Sequence, residues 1–136
     1  MIFGYILATI HGLLIHSNFF EIKPTKNLDL VTSAISAIHT FTTEVLGEPV
    51  DKILTDGNQI VVAYKGDVML AIISKANVAM AKQLAKKFVK IFAEKLKTED
   101  LTILSDSISK KVEKEIKLLE SEIKQINKKF MQISYI

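Results

Sequence analysis

The chain contains no cysteine, and that absence removes three kinds of chemistry at once: a disulfide framework, a thiolate zinc site and a cysteine nucleophile. Arginine is absent as well, all eighteen basic residues being lysine. Bidentate clamps on phosphate or carboxylate, arginine fingers and guanidinium reading of guanine are therefore excluded. Neither Gly57 nor Gly66 stands in a GxxxxGK[ST] spacing, so no phosphate-cradling loop is present. Histidine occurs three times. His11 and His16 are five apart, which on a strand puts them on opposite faces, and His39 stands among Thr and Ser. Glu44 and Glu48 flank a helix end, and Glu99-Asp100 lies in a loop. Solvation and helix-end electrostatics account for all four without a converging acid–base pair. No catalytic, cofactor-binding or metal-binding residue is expected.

What is present is apolar material, 49% of 136 residues, against 24% charged residues. That suffices for one real core and excludes wholesale disorder. The net charge of +3 is uneven. Residues 77–97 carry six lysines against Glu94 alone, whereas residues 1–50 carry Lys23 and Lys26 against Glu21, Asp29, Glu44 and Glu48. With only Phe88 and Phe92 interleaved, the basic segment is not a nucleic-acid signature.

The first twenty residues hold no acid and no lysine. Thr9, His11, Gly12, His16, Ser17 and Asn18 are costly in hydrocarbon, and no positive flank precedes the run. A hairpin is expected rather than a span or a secretory signal: Ile2–Ile10, a turn at His11-Gly12, then Leu13–Phe20. Pro24 closes the strand in a polar loop. From Leu28 to Leu46 the spacing predicts a helix, with Val31, Ala34, Ile35, Ile38, Phe41 and Val45 on the core side, ended by Gly47 and Pro49. Three strands follow, Val50–Thr55, Gln59–Tyr64 and Val68–Ser74, joined by Asp56-Gly57-Asn58 and Lys65-Gly66-Asp67. Asn77 is placed at the cap of a second helix running to about Lys97, with Ala81, Leu84, Ala85, Phe88, Phe92 and Leu96 inward. A third helix, about Asp106–Lys129, carries Val112, Ile116, Leu119, Ile123, Ile126 and Phe130 in a narrow heptad seam. Strands and helices in separate blocks predict an α+β domain with a five-stranded antiparallel sheet in the order β-β-α-β-β-β-α, plus an added C-terminal helix. Residues 1–97 are read as the domain and 98–136 as its helical extension.

Two surfaces carry functional weight. Opposite the expected core side of the first helix lie Thr32, Ser33, Ser36, Thr40 and Thr43, with no charge between Thr32 and Thr43. Small uncharged residues allow close approach and bury no lone charge, so this face is read as a partner interface. It is expected to continue into Ile53 and Thr55 of a strand at the sheet edge, whose free backbone groups a second chain can pair. The second surface is electrostatic. Lys82, Lys86, Lys90 and Lys97 line the second helix and suit an acidic partner or an anionic lipid surface.

The stretches YILATIHGLLIHS, DLVTSAISAIHTFTTEVLG and ILTDGNQIVVAYKGDVMLAIISK resemble the opening hairpin, first helix and three-strand meander of longin domains. These share a profilin-like sandwich with the roadblock family, and the archaeal longin-like branch is the nearest likeness. The resemblance spans about residues 2–97. It implies a non-catalytic platform for a small GTPase or a trafficking-type regulatory subunit, a homodimer or heteromeric longin/roadblock assembly, and no cofactor. A cytoplasmic location is expected, with contact to a membrane surface but no spanning segment. Two other readings stay open. One is a ligand-sensing domain with an internal apolar cavity. The other is a tether that assembles through the C-terminal helix.

Overall fold

The described residues form five strands and three helices in the order β1 (Ile2–Thr9), β2 (Leu14–Phe19), α1 (Leu28–Leu46), β3 (Lys52–Leu54), β4 (Asn58–Lys65), β5 (Val68–Lys75), α2 (Met80–Lys95) and α3 (Glu113–Ser134). This is the computed structural model of the chain. It describes residues 1–20, 28–96 and 110–134, with side chains for 1–20, 31–96 and 110–129. The loop at Lys23–Asn27, Glu99-Asp100, the start of the third helix at Asp106, Lys97 and the Phe130 side chain lie outside the described residues.

The strands form one antiparallel sheet in the order β2-β1-β5-β4-β3. The two hairpin turns between β1 and β2 and between β4 and β5 use glycines with left-handed backbone, Gly12 and Gly66. Strand β1 is paired on both sides, with β2 and with β5. Both faces of the sheet are covered there, so its sequence, IFGYILAT, is largely apolar instead of alternating. Strand β3 pairs with β4 alone and shortens to three residues. One more backbone bond, Val62 N–H to the Asp51 carbonyl at 2.9 Å, prolongs that pairing.

The register sorts the core into two layers. One face of the sheet, with Tyr5, Leu7, Val61, Leu70 and Ile72, packs on α2 and α3 through Phe88, Phe92, Leu119 and Ile123. The heptad seam of α3 is spent here: Val112, Ile116, Leu119, Ile123 and Ile126 are all buried in the same core. Polar ties fix its position. Asn127 accepts from the Ile2 N–H (2.8 Å) and donates to the Ile2 carbonyl (3.0 Å), while Glu120 accepts from the Tyr5 hydroxyl (2.7 Å) and from Asn18 (3.0 Å). The other face carries Ile6, Ala8, Val62, Met69 and Ala71, and α1 covers it through Ile35.

One cap differs from the sequence reading. The N-cap of α2 is Ala79, with no side-chain capping bond, rather than Asn77. The chain turns tightly into the helix instead, as Val78 N–H reaches the Lys75 carbonyl (3.2 Å) and Ala81 N–H the Val78 carbonyl (3.3 Å). The Gln59 side-chain amide then holds that turn by donating to the Val78 carbonyl at 2.8 Å.

Candidate protein interface

Helix α1 sits on the sheet by a face other than the one its hydrophobic spacing indicates. Ile35 is buried as its spacing indicates, but Thr32 and Ser36, read as outward, are buried beside it. Ala34, Ile38, Phe41 and Val45, read as core, are exposed. The cause lies in the β1–β2 turn. Gly12, at φ 92°, comes so close that a Cβ there would stand 3.2 Å from the Ser33 Cα and 3.3 Å from the Ser36 Cβ. The Ser36 hydroxyl donates to the Ile10 carbonyl of the same turn. Only small side chains permit that approach, and a serine also satisfies the carbonyl that the approach shields from water. The Thr/Ser face was read as a surface for a partner, but what Ser33 and Ser36 approach is the chain's own hairpin turn. Ser33, Thr40 and Thr43 remain exposed.

Beyond the hairpin the hold on α1 weakens. The His39 ring stacks on Tyr64 of β4, centroids 4.2 Å apart. Burial pushes the His39 imidazole below the usual histidine range, and burial followed by the Asp51 charge pushes the Tyr64 phenol up to about 12. Neither His39 Nδ1 nor the Tyr64 hydroxyl has a hydrogen-bond partner among the described residues. From Thr40 to Glu48 every residue except Thr42 is exposed. Phe41 is 63% exposed, Val45 61% and Leu46 69%.

The sheet continues this apolar surface. The register aligns Phe19, Gly4, Ile73, Ile60 and Ile53 in one row across the α1 face. Phe19, Ile73, Ile60 and Ile53 are each half-buried. The row ends at β3, a sheet edge with no further ladder partner among the described residues, where Leu54, on the opposite face of the strand, is 63% exposed. Thr55 lies just past the strand and closes its turn, its hydroxyl accepting from the Asn58 N–H at 3.2 Å. An exposed apolar helix, a half-open apolar floor and a strand edge without a partner among the described residues are thus contiguous, with no lysine on α1. Phe41 and Val45, read as core, and Leu46 left one sequence signal of their exposure: a helix without a charged face offers apolar residues on more than one side.

About two-thirds of this chain superposes on solved structures. The roadblock/LC7 domain from Streptomyces avermitilis superposes with a TM-score of 0.57 at 14% identity, over 68% of this chain and 83% of that one. The gliding protein MglB from Thermus thermophilus gives 0.57 at 14%, over 70% and 80%, and Myxococcus xanthus MglB gives 0.51 at 17%, over 68% and 85%. The chain has the longin/roadblock fold. No protein-family model matches it, and no curated protein matches its sequence significantly. On this roadblock-type frame the candidate interface is the outer side of α1 with edge strand β3.

The electrostatic surface divides. Lys82 is drawn to Asp51 (2.9 Å), and that contact holds the Asp51 carboxyl below the usual range. Lys86 and Lys90 are exposed, and Lys97 is outside the described residues. No group of three metal-ligating side chains occurs among the described residues, and none of their helices is long and apolar enough to cross a membrane. Clefts of about 200, 370 and 230 Å³ lie between α2 and α3, between β2 and α3, and beside the start of α2. These are at the margins of the helical layer, not in the apolar space between sheet and helix that a ligand-sensing reading requires. The tether reading needs a free α3 seam, and that seam is buried within the protomer.

Proposed function

We propose that the chain is a non-catalytic interaction module that forms a two-fold dimer through α1 and the β3 edge and presents the paired domain to a protein partner. The observation that carries this reading is the unspent apolar stripe Ile38–Phe41–Val45 beside an unpaired strand edge. A second copy satisfies both at once: its β3 supplies the missing ladder partner, and its α1 supplies an identical apolar, uncharged strip. The longin-like character of the hairpin, first helix and meander extends the reading. It supports a small GTPase or a related regulatory subunit as the partner, an archaeal-type assembly and a cytoplasmic setting. Residues 1–97 would constitute the longin-like unit, and 98–136 an added helical element.

Two measurements test this. Light scattering behind size exclusion is expected to give twice the protomer mass. Titration with a small GTPase from the same organism, loaded with GDP or a non-hydrolysable GTP analogue, is expected to give saturable binding that Phe41→Asp weakens. A protein that stays monomeric at high concentration refutes the homodimer. Absence of binding to the GTPase in both nucleotide states refutes that choice of partner.

A further inference from the structure

The α2–α3 layer lies on the face of the sheet opposite α1, and its charge is sorted. The two helices carry ten lysines against five glutamates. All four carboxylates of α3 are engaged at its flanks. Glu120 takes Tyr5 and Asn18, Glu122 takes Lys87 at 2.6 Å, Glu115 faces Lys95 at 3.9 Å, and Glu113 faces Lys117 at 3.8 Å. The fifth carboxylate, Glu94 of α2, is exposed near the end of its helix; the outward line along α3 is basic. Lys114, Leu118, Ser121, Gln125 and Lys128 follow one another along α3 at steps of four, three, four and three, all exposed and without an acid between them. Lys124 flanks this ridge, and Lys86 and Lys90 extend the field onto α2. Among the described residues these five lysines have no carboxylate partner.

We propose that this helical layer docks on an anionic lipid surface, independently of whichever protein α1 binds. The lysines are separate point charges with no shared pocket, which suits a plane of headgroups rather than one shaped ligand. Leu118, 56% exposed in their midst, provides an apolar side chain at the depth of the headgroup boundary. Arginine forks and exposed aromatic rings, the usual means of holding nucleic acid, are absent from the described residues of both helices.

The test is co-sedimentation of the full chain with vesicles of phosphatidylcholine alone or containing about 30 mol% phosphatidylglycerol. Binding is expected only to the anionic vesicles and is lost at about 0.5 M salt. Each lysine near the surface contributes about fivefold in affinity. Lys114→Gln with Lys124→Gln and Lys128→Gln should therefore weaken binding roughly 100-fold at an unchanged melting temperature. Lys86→Gln with Lys90→Gln should give a smaller loss on the second helix. Leu118→Gln should weaken binding to the anionic vesicles without changing its salt dependence. Equal sedimentation with both vesicles, or full binding by the triple variant, overturns the proposal. So does a preference for an acidic protein or RNA that anionic vesicles cannot compete away.

Discussion

Phe41→Asp separates a working apolar stripe from an accident of surface composition. Phe41 is 63% exposed in the protomer, so about two-thirds of its burial value is unspent. Full burial of a large apolar side chain gives about 1.5–3 kcal/mol, which leaves about 1–2 kcal/mol available at this position. A two-fold interface counts the side chain twice, so its loss weakens the dimer by about 2–4 kcal/mol, or roughly 30- to 1,000-fold in the dissociation constant. The aspartate must also desolvate its carboxylate against a helix that carries no lysine, which places the outcome at the upper end. Because the side chain is mostly exposed already, the protomer should change by no more than about 0.5 kcal/mol. Light scattering over a dilution series, with thermal melting alongside, reads both quantities. A variant that melts like wild type and still dimerises within about threefold of it refutes the reasoning.

Ile123 is completely buried in the main core, so Ile123→Asp is expected to cost more than about 4 kcal/mol and to unfold much of the population in a denaturant or thermal scan. Ser36→Val leaves the Ile10 carbonyl unpaired and should cost about 1–3 kcal/mol, seen as faster hydrogen exchange in α1 while β1 and β5 stay protected. Uniform loss of protection would show that the serine supports the whole fold instead. Burial depresses the His39 pKa, so the folded chain resists a proton that the unfolded chain accepts. Above about pH 6.5 both states hold neutral imidazole and this group is silent; below it, stability falls as pH falls. His39→Phe should keep the stack and flatten the loss between about pH 7 and 5, and parallel curves for variant and wild type would contradict the assignment.

Most of the element order was legible because turn chemistry marks it: His11-Gly12, Gly57 and Lys65-Gly66-Asp67 each stand where one strand ends and the next begins. The seams of α2 and α3 were legible because each helix has one apolar stripe and one charged face, and only one of these can be buried. The first helix offered no such contrast. Periodicity locates the stripe Val31–Ala34–Ile35–Ile38–Phe41–Val45 but does not say which part of it the sheet covers; of these only Ile35 is fully buried there. The decision was made by Gly12, whose close approach admits Ser33 and Ser36 and excludes Ile38 or Phe41. That contact joins residues far apart in sequence, and no local pattern announces it. The cap of α2 escaped for a similar reason: Gln59, a strand residue, organises the turn assigned to Asn77.

The bond pair between Asn127 and the backbone of Ile2 bears on how the chain is made. These residues are 125 positions apart, and β1 also waits for β5 before its second edge is paired. The earliest in sequence of the five strands described is therefore among the last to be satisfied. Until β5 emerges, the β1–β2 hairpin carries an apolar strand with one open edge, IFGYILAT, which is a template for mispairing with a neighbouring nascent chain. Contacts of such long sequence separation delay folding. Messages that slow translation between residues 20 and 68 should prolong that exposure, and truncation ahead of residue 127 should yield chains that aggregate through their first strand.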